Sequence, residues 1–423
     1  IGLACYGDSI RNVFSLIRTI RHVNPDSIIM CGGPYCNLAK EFIDGSDITI
    51  IGEAEVCIDI IAEALLSENW STLETIPGLI FKKEGELVET PGVLEATDLS
   101  LRHHAAFQLT PNDRNTYYTF ALNSDYSPVT DEHYSHFFGF RIPGITGLMS
   151  SRGCRYHCTY CTERVTTYRE RAVEHVIEEL KMIQKQGYKY VVFFDDNFLM
   201  NKTRVNTILD RIIEEKIKLK FAVQGRVEYA DKKLFKKLRK AGGMVIMFGV
   251  ENANQDVLDY YKKGTKIKRI EKAIRLCNKA GLITLGYLIL GSPLETETHL
   301  EVNKQFVDRM PLDYLNVNVL RYYQGSKLWS DAVAAGTVQK NEAVVFANRT
   351  LSRYSYEEWL SQKEQLLKLF YSRKSRIVRL IYKLIRLDGI GIFIKILLLS
   401  RNKMAEKSRS PFIEPITSQK VKI

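Results

Sequence analysis

Apolar positions along this chain alternate between two rhythms, short continuous runs and runs spaced at three and four residues, and the two rhythms replace one another regularly. An apolar run at 1–6 gives way to an amphipathic helical pattern over 9–22. A strand at 27–31 ends in Gly32-Gly33, a helix follows over 35–42, a strand at 48–51 ends in Gly52-Glu53, and a helix runs from 56 to 66. Three strand-helix units predict part of a doubly wound Rossmann or flavodoxin-like sheet in residues 1–66. A complete sheet of that kind has about five strands, so about two are expected upstream of Ile1, where the chain starts with Ile and a strand already under way. Residues 67–145 read as a connector with a hairpin at 79–82 and 87–89, then an aperiodic stretch from 98 rich in Tyr, Phe and His, expected to pack against the next domain.

From 146 to 335 six strand-then-helix units repeat, with strands at 147–151, 190–194, 220–223, 244–250, 283–290 and 314–320. Such alternation predicts parallel strands joined by right-handed crossovers, with the site where the strands' C-terminal ends meet the loops. Six units rather than eight predict a partial (β/α)6 TIM-like barrel. The fold class is therefore α/β, an incomplete doubly wound sheet followed by a partial barrel and, over 336–423, a helical basic region.

Composition changes the picture mainly at the C-terminus. The 423 residues are 45% apolar and 26% charged, enough to bury two or three soluble domains. Eight cysteines without regular pairing, and no signal peptide, point to the reducing cytoplasm. The formal charge is +11, but residues 372–423 carry thirteen Lys or Arg against three Asp or Glu. The rest is nearly neutral, and no nucleic-acid partner is expected. Arg376, Arg379, Lys383 and Arg386 step at helical spacing, opposite Ile377, Leu380, Ile381, Leu384 and Ile385. An apolar run at 390–399 is too short to span a bilayer, which takes about 20 residues. Two readings follow: a peripheral membrane contact, or packing over the barrel mouth with the basic face solvated.

The densest chemistry is Gly153-Cys154-Arg155-Tyr156-His157-Cys158-Thr159-Tyr160-Cys161, just after the first barrel strand. Clustered thiolates select zinc or iron–sulfur chemistry. A cube held by three cysteines leaves one iron open, whereas a Cys3His zinc using His157 or a distant fourth ligand would be closed and structural. The run, with Tyr160 before the third cysteine, resembles the cluster loop of radical S-adenosylmethionine enzymes. The resemblance implies that Cys154, Cys158 and Cys161 hold a [4Fe–4S] cluster, and that its open iron chelates S-adenosylmethionine and cleaves it to a 5′-deoxyadenosyl radical.

The polar groups at the later strand ends agree with that family in order. Asp195-Asp196-Asn197 follows the second strand, where the resemblance implies contact with the amino group of S-adenosylmethionine; a helix cap at Asn197 is the alternative. After the third strand Gln224-Gly225-Arg226 offers a guanidinium suited to the methionine carboxylate. Glu251 ends the fourth strand, on the nucleoside side. The fifth carries Gly286 and Gly291-Ser292-Pro293, resembling an adenine-side motif in which glycine lets the backbone approach a flat ring.

The first segment resembles cobalamin-binding domains: Ala4-Cys5-Tyr6 includes Ala4 where that family has a small residue, Gly32-Gly33 follows after the 25 residues Gly7 to Cys31, and Glu53 follows the next strand. The D-x-H-x-x-G segment that supplies a cobalt-ligating histidine in many members is absent from this sequence. Together these resemblances imply a cobalamin-dependent methyltransferase acting on an unactivated carbon of a small, hydrophobic molecule. An external donor such as flavodoxin or ferredoxin would supply electrons. Ring formation or rearrangement is the alternative chemistry, and a non-catalytic zinc-stabilised binding protein the alternative class.

Overall fold

The computed structural model describes residues 1–388 apart from 8–9, 102–144, 163–166, 341, 343 and 347–351. The expected aromatic stretch thus lies almost wholly outside the described residues, as does the apolar run at 390–399.

The N-terminal unit is built from β1 (Gly2–Ala4), α1 (Ile10–Val23), β2 (Met30–Gly32), α2 (Pro34–Ala39), β3 (Ile48–Ile50), α3 (Ile58–Leu66), β4 (Leu79–Lys83) and β5 (Glu86–Glu89). The sheet order is β1-β2-β3-β4-β5, the first three parallel and the last two antiparallel. The hairpin expected as a connector is therefore part of the sheet, because Leu79, Ile80 and Phe81 pair with β3 and bury their apolar side chains there. Helix α1 presents Ile10, Val13 and Ile17, one face at helical spacing, to Cys5, Ile29 and Cys31 on one side of the sheet. Ile61 and Ala64 of α3 cover the other side with Ile48, Ile50 and Phe81. That is a doubly wound arrangement.

The second unit runs β6 (Ile145–Leu148), β7 (Ser151–Arg152), β8 (Arg169–Glu170), α4 (Val173–Lys185), β9 (Tyr190–Phe193), α5 (Lys202–Glu214), β10 (Lys220–Gly225), α6 (Lys232–Lys240), β11 (Gly243–Glu251), α7 (Gln255–Tyr260), α8 (Ile267–Lys279), β12 (Ile283–Leu290), α9 (Glu297–Arg309) and β13 (Tyr314–Val319). Six strands form one parallel sheet in the order β13-β12-β11-β10-β9-β6, open between its two edges, as a partial barrel requires. Period-two alternation sorts the side chains. Val191, Phe193, Phe221, Val223, Ile246 and Phe248 point to the helix layer, while Val192, Ala222, Val245, Met247 and Leu285 point inward. β7 and β8 pair antiparallel and clasp the ends of the cysteine loop.

Beyond the barrel come β14 (Arg321–Tyr323), α10 (Lys327–Ala334), β15 (Val344–Phe346), α11 (Tyr356–Tyr371) and α12 (Lys374–Asp388). Helix α12 departs from expectation. Its Leu384 and Leu387 cluster with Ile145, Tyr190, Met244 and Ile283, the first residues of the strands, so it plugs the base of the barrel and not the mouth. Three of its four stripe cations, Arg376, Arg379 and Lys383, turn inward, and Arg386 stays exposed. Lys383 Nζ donates to the Leu282 carbonyl at 2.7 Å and to Asp313 Oδ2 at 2.6 Å. Arg379 Nε meets Asp313 Oδ1 at 2.9 Å, and Arg376 Nη2 donates to the carbonyls of Val307 and Asp308 at the end of α9. The reason is that helix C-termini and strand starts leave bare carbonyls, and a buried Asp313 needs counter-charges. Among the described residues no helix is long and apolar enough to cross a membrane.

Candidate active site

The cysteine loop is fastened before it starts. Asp195, just past β9 and 1% exposed, accepts the Ser150 amide at 2.6 Å, Ser150 Oγ at 2.5 Å and Ser151 Oγ at 2.8 Å. Arg204 Nη2 adds a bond to the Ser150 carbonyl at 2.8 Å. Burial pushes the Asp195 carboxyl above its ordinary range, and these bonds oppose it. Asp195 thus joins β9 to the residues leading into the loop, a structural use of the carboxylate that the sequence did not suggest. The signal missed in the sequence is the serine pair Ser150-Ser151.

Cys154 and Cys161 are half-buried and Cys158 is buried; all eight cysteines are free thiols. Burial pushes the Cys154 thiol up. The Cys161 amide bonds the Cys158 carbonyl at 3.1 Å, and the Thr159 amide reaches the Tyr261 carbonyl at 3.0 Å, which staples the loop to the residue after α7. Arg226 also differs from expectation. Its guanidinium lies 3.6 Å over the Tyr156 ring, donates from Nη1 to Cys158 Sγ at 3.5 Å, and is held by Glu228 at 3.0 Å and by the Lys263 carbonyl. Its fork is engaged with the loop and not open toward a carboxylate. Gln224 Nε2 contacts the Asp196 carbonyl at 3.4 Å. Asn197 accepts the Arg226 amide at 3.2 Å, yet its Nδ2 is buried with no partner. The cap of α5 is Asn201, so Asn197 is not spent on a helix end.

Glu251 sits at a bulge in the β11–β12 register with φ +61°, a conformation that is strained for a residue with a side chain. Its Oε1 accepts Lys263 Nζ at 2.7 Å, and that ammonium lies 3.4 Å from Tyr160 Oη. Gly249 makes this possible: a Cβ there would fall 2.2 Å from Glu251 Oε1 and 2.8 Å from Lys263 Nζ. Burial, then the Glu251 charge, raise the Tyr160 phenol well above 10, so it remains a neutral donor. Its ring meets Tyr261 edge-on at 5.1 Å. Lys263 escaped sequence reasoning because Lys262-Lys263 reads as a solvated charge pair; the trace available was Gly264 in a loop following a barrel strand.

At the fifth strand Gly286 does not open toward a ligand ring. A Cβ there would meet Leu312 at 3.1 Å and Val250 at 3.5 Å, so this glycine serves core packing. Gly291, at φ +110°, and Ser292 both aim their amides at Glu295 Oε2, at 2.7 and 2.8 Å. Glu295 is wholly buried and also takes Asn252 Nδ2 at 2.7 Å. This knot, with Pro293 half-buried beside it, presets the strand end, and Glu295 is a structural residue the pattern did not reveal.

In the N-terminal unit Ala4 and Gly32 are register partners, and Gly33, φ +106°, follows; a Cβ on Gly33 would lie 3.1 Å from the Cys5 carbonyl. These three lie together at the C-terminal ends of β1 and β2. Glu53 does not join them. Its carboxylate is held by Arg152 Nη1 at 2.8 Å, by Arg169 at 2.9 Å on both oxygens, and by the Ala96 amide at 2.7 Å. Burial works against its ionisation, but these bonds outweigh burial and bring its carboxyl down to about 2. Glu53 therefore clamps the N-terminal unit to the β7–β8 clasp. Beside the clamp a cleft of about 760 Å³ runs between the units, walled by Val56, Ile58, Leu99, Met149 and Phe194 and by charged groups including Glu55 and Arg171.

Among the described residues no three His, Cys, Asp or Glu side chains converge on a point that one ion could fill, as a closed zinc site would require. A cube of four irons spreads its thiolates more widely. Three reduced thiols on one loop, an unpartnered Asn197 Nδ2 and the unpartnered Tyr261 Oη suit a cluster that leaves a position for a polar ligand.

Comparison with known proteins agrees with this geometry. Residues 148–307 match the family described as the Radical SAM superfamily. An uncharacterised methyltransferase of Pyrococcus horikoshii is 25% identical over 342 residues, covering 79% of this chain and 69% of that protein. The anaerobic magnesium-protoporphyrin IX monomethyl ester cyclase of Cereibacter sphaeroides is 24% identical and covers 67% of this chain; the chain spans 45% of that relative's length. The radical S-adenosylmethionine methyltransferase TsrM of Kitasatospora setae, solved with cobalamin and a [4Fe–4S] cluster bound, shares the fold. Its TM-score is 0.62 at 19% identity, over 80% of this chain and 67% of that one. Residues 148–307 thus carry the match to the Radical SAM superfamily, on the six-stranded sheet that presents the cysteine loop.

Proposed function

We propose that this chain is a cobalamin-dependent radical S-adenosylmethionine methyltransferase acting on an unactivated carbon of a small, hydrophobic molecule. The observation that carries the proposal is the position of Cys154, Cys158 and Cys161, three cysteines outside any disulfide on the loop that follows the first barrel strand, with Cys158 in contact with Arg226 at the end of the third. When bound, the cluster and S-adenosylmethionine supply a 5′-deoxyadenosyl radical, and cobalamin supplies the methyl group. The residues of this chain bind and orient. Arg226 donates to Cys158, and hydrogen bonds to ligand sulfurs are among the levers that set a cluster's potential. Asn197 Nδ2 offers an uncommitted donor, Tyr160 keeps its proton, and the Glu251–Lys263 pair fixes the rim between them. The knot at Glu295 holds the backbone of Gly291 and Ser292 in one shape before any ligand arrives.

Ala4, Gly32 and Gly33 give cobalamin two adjacent strand ends with small or no side chains, and the cleft between the units offers its apolar wall to the substrate. Electrons come from an external reductant, for which we favour flavodoxin or ferredoxin in the cytoplasm. Ring closure is the second reading, favoured by the likeness to the cyclase. The test is anaerobic turnover of the full chain with methyl-labelled S-adenosylmethionine and candidate substrates. Label in the product supports methylation; a product lacking label but showing a new ring replaces it with the second reading.

A further inference from the structure

We infer that the outward face of α12 is a docking surface for an anionic lipid layer, which would lie against the base of the barrel. Because α12 turns Arg376, Lys383 and Leu384 inward, its apolar residues face out: Ile377 is 49% exposed, Val378 66%, Tyr382 57% and Ile385 39%. Positions 377, 378, 381, 382 and 385 recur at helical spacing and form one stripe along the helix. Nothing in the barrel's packing calls for it, since the same helix already buries Leu384 and Leu387 in the core. Contiguous exposed apolar surface of this kind marks an interaction site.

Charge selects the occupant. Exposed Lys374 and Arg386 rim the stripe, with Arg373 beside them paired to Asp308, and the 35 residues after Asp388 carry seven Lys or Arg against two Glu. A second copy would bring the same cations to the same face, which opposes pairing by like-charge repulsion. An anionic lipid surface satisfies both features: apolar side chains enter the acyl boundary while the flanking cations meet headgroups. The geometry also leaves function free, because the stripe is at the base and the cysteine loop opens at the other end.

The test is co-sedimentation of the full chain with vesicles of phosphatidylcholine and phosphatidylglycerol, with pure phosphatidylcholine vesicles as control. We expect binding to the anionic vesicles only, weakened by added salt. The exposed-site variant Ile377→Gln/Val378→Gln/Ile385→Gln should lower partitioning about tenfold or more, since buried apolar area is lost without losing helix propensity, and should melt where the parent does. The inference is overturned if the parent does not bind anionic vesicles, or if the triple variant binds them as well as the parent. It is equally overturned if the parent is a dimer that the variant separates, which makes the stripe a self-interface. A variant that melts several degrees lower would place the chain's own C-terminal residues over the stripe, and that too would overturn it.

Discussion

At both ends of the barrel, buried cations meet buried carboxylates, and the two ends use them differently. At the base Asp313, wholly buried, takes both Arg379 and Lys383, and further donors of Arg376, Arg379 and Lys383 go to the carbonyls of Val307, Asp308, Leu312 and Leu282, with Arg376 Nη1 left buried and unpartnered. At the mouth the Glu251–Lys263 pair rests on a positive-φ residue, needs a glycine beside it, and has unpartnered Asn197 Nδ2 and Tyr261 Oη nearby. Unmet donors occur at both ends, so what separates them is the backbone strain at Glu251, which costs free energy and persists where a ligand will use it. An unstrained, charge-compensated cluster at the base serves stability, as expected for the N-terminal face of a barrel.

The sharpest way to break that contrast is at the cysteines. Replacing any of Cys154, Cys158 or Cys161 by Ala should abolish cluster incorporation and turnover while the apoprotein melts close to the parent. Iron and sulfide analysis with electron paramagnetic resonance reads the first, and a thermal scan the second; an intact cluster in a single variant would remove that residue from the ligand set. At the base the order reverses. Asp313→Ala leaves the buried Lys383 and the half-buried Arg379 without counter-charge and should cost ~3–5 kcal/mol in urea unfolding, with iron content per folded molecule unchanged. Gly249→Ala lies between these extremes. Its Cβ collides with Glu251 and Lys263, so we expect ~1–3 kcal/mol of destabilisation together with about tenfold weaker S-adenosylmethionine binding by calorimetry. Lost stability with unaltered affinity would mean that the ion pair does not shape the pocket.

The same contrast explains what could be read from the chain. The six barrel strands and the cysteine loop were legible because apolar period and residue spacing are local: the strand at 283–290 is found as expected, and the other five shift by at most two residues at the start and three at the end. What is not local was hidden. Asp195 looks like a ligand until Ser150 and Ser151, more than forty positions earlier, fold against it. The two faces of α12 are plain in the sequence, but which one turns inward depends on Asp313, 70 residues from Lys383. Lys263 becomes a buried cation only because Gly249 leaves room for it.

Glu53 tests the contrast from a third place, since it lies on the mouth side yet joins two units as a stability device would. With Arg152, Arg169 and the Ala96 amide around it, the folded carboxyl sits at about 2, below its ordinary value of 4.5. A depressed carboxyl contributes stability that is fully present above about 4.5 and is lost as pH falls through about 2. Glu53→Gln keeps an acceptor for the amide but removes the charge, so near neutral pH it should destabilise by ~1–2 kcal/mol after allowance for partial exposure of the arginines. The gap between parent and variant in urea midpoint should then narrow as the pH is lowered below about 4.5. A gap that stays constant would mean that Glu53 acts by shape alone, and that the mouth-side ion pairs contribute nothing through their charge to holding the sheet against the cluster clasp.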